Sequence, residues 1–388
     1  MKKTLWMLGV AVAALTSCTQ SEVLDVPESK MIAFDSFVGK PTRAIDDVGD
    51  AKNFDVFYVY ADKGVTSEGL FTADTDGSNF FNGEKVHRTK SSEDAWYNWT
   101  YTTPKPWTVD KTYRFAAYAN GHGNTGDEAK LTTGVAFASK KSNVTSLSGT
   151  SITETWGLTF TNYQATTKDL IVSVPNEEKR STTAQLVNTM NLTFSHALAK
   201  VVFRFVLDQR ADGDLIVNVD PFNLNAITNS DCNVYYNDGT EINWASQSIK
   251  ATDVGQSNWT STGNIANGIY EIVPSGGLEL KADDTTTDEV ENDKSIAFYV
   301  IPQSNDITVT FTGTSTDAYG NVVGTTTFSN VSLKITDHEE WKPGYVYRYT
   351  ASLNPQINYI HFAASVDAWA DTPNRDQGLT GSTSGQNN

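Results

Sequence analysis

What most limits the folds open to this chain is a period of two in its apolar residues, recurring along most of its length. At that spacing, alternate side chains fall on opposite faces of an extended strand. Residues 53–60 (NFDVFYVY) carry Phe54, Val56, Tyr58 and Tyr60 on one side and Phe57 and Val59 on the other. Apolar residues on both sides predict a strand buried on both faces. Residues 31–38 (MIAFDSFV) set Ile32, Phe34 and Val38 on one face, with Phe37 out of step. Segments 113–118, 192–194, 201–207, 296–301, 307–311, 331–335, 345–353 and 357–370 continue the series. Turn signals stand between them, among them Asp62-Lys63-Gly64, Asn82-Gly83 and Lys342-Pro343-Gly344. No window sustains a capped amphipathic helix. The stretch His196-Ala197-Leu198-Ala199-Lys200 predicts at most one helical turn between two strands. The expected class is all-β with sandwich packing.

The N-terminus reads differently. Lys2 and Lys3 precede an apolar run of 11 residues, Leu5 to Leu15. At about 1.5 Å per residue this run is too short for a bilayer core of roughly 30 Å, and it fits the h-region of a secretory signal. Leu15-Thr16-Ser17-Cys18 follows, and it resembles the lipobox of bacterial lipoproteins. That resemblance implies a signal peptide over 1–17, cleavage before Cys18 and acylation of Cys18, which ties the chain to the outer membrane. Two or three acyl chains anchor firmly, at about 0.8 kcal/mol per buried methylene. The second cysteine, Cys232, has no partner thiol and is expected to be a small buried hydrophobe.

Residues 18–30 are polar and aperiodic and predict a tether. With 388 residues, and roughly 100–200 per domain, two domains are expected. The composition shifts at 175–188 (PNEEKRSTTAQLVN), which places an N-terminal β-sandwich at 31–180 and a C-terminal one at 181–375, before a tail at 376–388. The net charge of −17 repels phosphate backbones and argues against a nucleic-acid partner.

Signatures of chemistry are sparse. His87, His122, His196, His338 and His361 show no metal-ligand spacing, and no nucleophile elbow, P-loop or dinucleotide fingerprint occurs. The acidic run at 283–293 lacks calcium-loop spacing and predicts a solvated loop. No cofactor, metal or enzymatic activity is expected. Trp96, Trp99 and Trp107 form an aromatic cluster that is either a sugar-stacking platform or core packing, and in a β-sandwich core packing is favoured.

Several motifs, in order, resemble the fimbrillin family of Bacteroidetes, the subunits of lipoprotein-derived pili. They are the lipobox at Cys18, Ile32-Ala33-Phe34, Gly39-Lys40-Pro41-Thr42-Arg43-Ala44, Phe54-Asp55-Val56-Phe57, Trp96-Tyr97 with Pro106-Trp107, and Tyr113-Arg114-Phe115-Ala116-Ala117-Tyr118. Leu192-Thr193-Phe194-Ser195-His196-Ala197-Leu198-Ala199-Lys200-Val201, Trp341-Lys342-Pro343-Gly344-Tyr345 and Val366-Asp367-Ala368-Trp369 complete the set. The resemblance implies two tandem transthyretin-like, Greek-key β-sandwich domains and a fimbrial subunit, stalk or tip, serving adhesion. It further implies that an Arg-specific surface protease removes the lipid and the first strand, and that a strand from another fimbrillin subunit replaces it. Arg43, before the small Ala44, is the matching cleavage site. The strand removed would carry Ile32, Phe34 and Val38, and Ile360, Phe362 and Val366 would lead the replacement; the alternative is that the strand at 357–370 stays paired within its own domain. Burying three such side chains is worth roughly 5–9 kcal/mol. The alternative is a surface lipoprotein that never polymerises, either a pilus anchor or a glycan-binding accessory using the Trp cluster.

Overall fold

A computed structural model describes residues 30–38, 56–67, 70–88, 90–92, 95–96, 99–120, 130–131, 134–146, 149–166, 168–187, 189–207, 216–236, 241–244, 265–281, 295–354 and 359–368. These residues are almost all strand. The chain runs through β1 (Phe34–Val38), β2 (Val56–Ser67), β3 (Leu70–Ala73), β4 (Phe81–His87), β5 (Lys90–Ser92), β6 (Ala95–Trp96), β7 (Thr100–Tyr101) and β8 (Lys111–Asn120). Next come β9 (Val135–Ser146), β10 (Gly149–Gln164), β11 (Leu170–Ser173), β12 (Asn176–Arg180), a 3-10 turn (Thr183–Val187), β13 (Met190–His196) and β14 (Ala199–Leu207). It continues with β15 (Ile216–Val219), β16 (Phe222–Tyr236), β17 (Glu241–Trp244), β18 (Ile265–Val273), β19 (Leu278–Lys281) and β20 (Ser295–Val300). The last are β21 (Gln303–Ser304), β22 (Thr308–Thr316), β23 (Val322–Ser332), β24 (Glu340–Trp341), β25 (Tyr345–Asn354) and β26 (Tyr359–Ala368).

A nine-stranded sheet has the order β1-β13-β11-β8-β2-β4-β7, with β12 on β8 and β3 on β2. Its central strands β2 and β8 are buried on both faces, which for β2 matches the doubly apolar pattern at 53–60. Phe57, Val59, Phe115 and Ala117 face one core, which also holds Ile32, Phe34, Trp107 and Leu186. Val56, Tyr58, Ala116 and Tyr118 face a second core, completed by Leu158, Phe160, Cys232 and Val234 from a five-stranded sheet. That sheet, β17-β16-β10-β9 with β18 on β16, joins strands from both sides of the composition shift. Two four-stranded sheets, β20-β14-β25-β26 and β19-β15-β22-β23, enclose a third core around Phe203, Phe205, Trp341 and Tyr349.

Arg114 ties the first two sheets. It is 4% exposed. Its guanidinium lies 4.3 Å from the Phe71 ring centroid and 5.0 Å from that of Trp156. It also pairs with Glu154 at 3.1 Å and Glu177 at 2.7 Å.

Three local expectations give way. The helical turn at 196–200 does not form, because only Ala197 and Leu198 separate β13 from β14. The Ala197 N–H donates to Leu170 in β11 and the Leu198 carbonyl accepts from Gly344 in the turn before β25, so neither bond closes a helical turn. Asn82-Gly83 is a bulge inside β4 rather than a turn: Gly83 sits at φ 67° where β4 carries one residue more than β2. Asp62-Lys63-Gly64 lies within β2, where a Cβ on Gly64 would come to 2.1 Å from the Thr72 carbonyl oxygen.

Candidate functional site at the first strand

The first strand is an insert in the core. Ile32 and Phe34 are 1% and 5% exposed. Phe34 meets the rings of Phe57, Phe81, Tyr101 and Phe115 edge-on, with centroids 5.6–6.1 Å apart. The neighbouring Ala33 and Asp35 point to solvent, so the alternation seen in the sequence holds here. Strand β1 runs parallel to β13, with Phe34 opposite Met190, Ser36 opposite Leu192 and Val38 opposite Phe194. Val38 is paired with Phe194, and its side chain lies outside the described residues.

Hydrogen bonds hold the segment just before β1. The Ile32 N–H donates to the Lys105 carbonyl at 2.8 Å, and the Tyr101 hydroxyl donates to the Ile32 carbonyl at 2.8 Å. The Trp107 N–H donates to Lys30, and the Met190 N–H to Ala33. Burial raises the Tyr101 phenol above its ordinary value, with the Lys105 N–H acting against that. Lys105 packs its ammonium over Phe80 and Phe81. The segment therefore lies between β13 on one side and residues 101–107 on the other. Taking it away empties an aromatic pocket and bares the ladder of β13, an edge of the kind that pairs with foreign strands.

Strand β26 ends the sheet β20-β14-β25-β26 and pairs antiparallel with β25, from Tyr345 opposite Ala368 to Asn354 opposite Tyr359. Ile360, Phe362, Ala364 and Val366 are half-buried against the third core, while His361, Ala363, Ser365 and Asp367 are exposed. Phe362 stacks on Tyr349 at 5.5 Å. On β25 the corresponding Tyr347, Tyr349, Ala351 and Leu353 are fully buried, so β26 is the more lightly covered of the pair.

The tryptophans divide. Trp107 is 4% exposed, packed on Tyr113 at 4.9 Å and roofed by the Arg180 guanidinium at 4.0 Å. Its ring belongs to the core that holds Phe34 and Phe115, with the Arg180 guanidinium over it. Trp99 is half-buried, 4.9 Å from Phe57, with Arg88 over its ring at 4.6 Å. Trp96 lies in β6, paired with Lys90, and its side chain is outside the described residues. Cys18, Arg43, Ala44 and the acidic run at 283–293 also lie outside them. Cys232 is a fully buried free thiol, and burial pushes it well above its ordinary value.

Some residues that build the site carry no signal that marks them. Tyr101, Lys105 and Pro106 receive the segment before β1, yet in sequence they look like a loop beside an aromatic cluster. Segment 175–188 holds β12 and the 3-10 turn. It also supplies Arg180, which is 4% exposed and donates to the Gln185 carbonyl at 2.9 Å.

The model of the fimbrillin-like family matches residues 42–369. This chain belongs to the fimbrillin-like family. It is a pilus-related surface protein of a family that is in general structural rather than enzymatic. Among solved structures it is similar to a fimbrial protein from Bacteroides vulgatus, at 15% identity over 88% of this chain and 99% of that one, with a TM-score of 0.47. It is also similar to the fimbrial anchor protein Mfa2 from Porphyromonas gingivalis, at 11% identity over 87% and 97% of the two chains, with a TM-score of 0.26. No curated protein matches it.

Proposed function

We propose that this fimbrillin is a structural subunit, stalk or tip, of an adhesive cell-surface fimbria, and that proteolysis triggers its assembly by strand exchange. In this reading the precursor is held in the outer membrane by lipid on Cys18. An Arg-specific surface protease cuts between Arg43 and Ala44, the first strand leaves, and a strand of another subunit enters its place.

The observation that carries the reading is the mismatch between how deeply β1 is buried and how it is attached. Its segment supplies Ile32 and Phe34 to the centre of a core, yet β1 itself is the end strand of its sheet, and among the described residues its only ladder is with β13. Such an element can be withdrawn without breaking any other ladder. The groove it leaves is apolar, edged by a bare strand and shaped for an alternating peptide. Slow dissociation follows from the apolar area buried, less the cost of ordering the incoming strand.

The test is N-terminal sequencing of material sheared from cells, read beside an unheated SDS gel. A ladder of oligomers beginning at Ala44, lost in Arg43→Ala, is the expected result. Oligomers that all begin at acylated Cys18 would overturn the exchange mechanism. A lipidated monomer with no oligomers would point instead to a non-polymerising lipoprotein.

A further inference from the structure

The segment that carries the first strand touches both ends of the nine-stranded sheet, whose order runs from β1 to β7. At one end Phe34–Val38 pairs with β13. At the other, the residues just after β7 receive the residues just before β1. Met31 bridges Pro106 in antiparallel fashion, the Ile32 N–H donates to the Lys105 carbonyl at 2.8 Å, and the Trp107 N–H donates to the Lys30 carbonyl at 2.9 Å. Residues 30–38 therefore close the sheet on itself. The change of partner falls at Ala33, whose carbonyl accepts from the Met190 N–H at 2.8 Å.

The receiving loop is fastened on every side. Pro104 and Pro106 have no N–H, so from Pro104 to Trp107 only Lys105 and Trp107 can donate from the backbone. Both donors are used, Trp107 on Lys30 and Lys105 on the Tyr101 hydroxyl at 3.1 Å. That hydroxyl passes the link on by donating to the Ile32 carbonyl at 2.8 Å. Tyr101 thus joins β7, the loop and the first-strand segment through one oxygen. Its ring packs edge-on against Phe34 and Phe81, with both centroids 5.6 Å away. The Lys105 ammonium bonds to the Phe80 carbonyl and lies over the rings of Phe80 and Phe81. Beyond the loop, the Thr108 N–H donates to the Tyr113 hydroxyl at 2.8 Å, and the Arg180 guanidinium covers Trp107.

Resting on the exchange reading above, we infer that residues 101–107 are a clasp on the first strand, and that opening this clasp, rather than the cut at Arg43, sets the rate at which the strand leaves. A cut after Arg43 falls beyond the β13 end of the segment and breaks none of the bonds at 30–32. The free end can peel from β13 one pair at a time, from Val38 back to Phe34, and it then meets the clasp. Cut protein is therefore a held intermediate, nicked but closed. The delay keeps the β13 ladder and the aromatic pocket covered, and an open strand edge left bare pairs indiscriminately. Tyr101 is the positioning residue of the device, because its hydroxyl holds both the loop and the strand.

Release of the cut segment tests this. Full-length protein, purified in detergent with residues 39–44 replaced by the recognition site of a sequence-specific protease, is cut, and the N-terminal piece still bound is followed in time by gel filtration. Tyr101→Phe keeps the ring and removes the hydroxyl. The piece should then leave about tenfold faster, the factor that one intramolecular hydrogen bond commonly contributes. Tyr270→Phe is the control, since it removes a hydroxyl that donates to the Ile227 carbonyl at 2.7 Å in the third core, and its release should match that of the unmodified protein. Release from Tyr101→Phe at the unmodified rate, equal acceleration in both variants, or loss of the unmodified piece as fast as it is cut would each overturn the clasp. A lock separates that failure from failure of the exchange reading. Antiparallel partners stand about 4.5–5.5 Å apart at Cα, within disulfide reach, so Met31→Cys with Pro106→Cys fastens the segment to the clasp. Once cut, the locked protein should form oligomers only with reductant. If it needs reductant while Tyr101→Phe changes nothing, exchange stands and the clasp is wrong. If it forms them without reductant, the strand need not leave, and the inference falls together with the reading beneath it.

Discussion

Replacing Phe34 by alanine gives the most direct measure of how far the first strand belongs to the precursor's core. The side chain is 5% exposed and touches four aromatic rings edge-on. Truncating a Phe so placed costs about 3–5 kcal/mol in lost transfer energy and residual cavity. The edge-on ring contacts favour the upper half of that range. Taking about 4 kcal/mol and a urea slope of about 3 kcal/mol per molar, the unfolding midpoint of the full chain falls by roughly 1.3 M. Asp35→Ala, one residue on and exposed, is the matched control and should stay within about 0.5 kcal/mol. Fluorescence is a convenient probe, since buried Trp107 lies in the same core as Phe34. A loss below about 1 kcal/mol, no larger than the control, would show that the strand is not integral to the core. The same substitution has a second reading in fibres. If residues up to Arg43 are removed as proposed, Phe34 is absent from fibres, so the thermal stability of assembled Phe34→Ala material should equal that of the unmodified protein. A fibre weakened by the change would mean that the strand was never removed.

Three further outcomes are expected. Burial raises the Glu154 carboxyl, but the Arg114 hydrogen bond, the Phe71 N–H, the Arg114 charge and the Ser139 hydroxyl outweigh it and hold it below its ordinary value. A depressed folded value gives stability that is full above the unfolded pKa, about 4.3, and is lost as pH falls through the folded one. Glu154→Gln should therefore cost stability at pH 7, because it leaves the buried Arg114 guanidinium one charge partner fewer, and the gap should close as pH falls through the lowered folded value; a gap unchanged at pH 2 in paired unfolding curves would refute this. Tyr349→Phe removes the hydroxyl that accepts from the Trp341 indole at 2.9 Å and donates to the Leu333 carbonyl at 2.9 Å. It should cost about 1–3 kcal/mol in chemical denaturation, because two buried polar groups lose a partner. Cys232, fully buried with its thiol shifted upward, should resist Ellman's reagent in the native protein and react once in denaturant, while rapid native reaction would place it at the surface.

Sequence reading succeeds here where a local rule is also the structural constraint. Doubly apolar β2 and β8 had to lie between two cores, and the alternation at 359–368 had to turn one face inward. It fails where long-range packing overrides local chemistry. Asn82-Gly83 carries the residues of a tight turn, but the extra residue of a bulge needs the same positive φ. Segment 175–188 shows a composition shift in sequence because Glu177, Glu178 and Lys179 are charged, while two of its charges, Glu177 and Arg180, are held by Arg114 and by the face of Trp107. Trp107 itself is ambiguous in sequence, and the guanidinium that roofs it comes from far along the chain. The partnership of β1 with β13 leaves no local trace, since a parallel pair is joined by no hairpin.

The two-residue link between β13 and β14 has a mechanical consequence. In a fibre built as proposed, tension enters through the donated strand lying parallel to β13 and crosses Ala197 and Leu198 into β14. It then passes to β25, which is parallel to β14 over eight paired positions, and leaves through the next donated strand. At each ladder the two strands are pulled from opposite ends. The load runs along the strands, so the bonds of a ladder share it and yield as a group instead of opening one after another. A fimbria made this way would resist stretching through these parallel pairings.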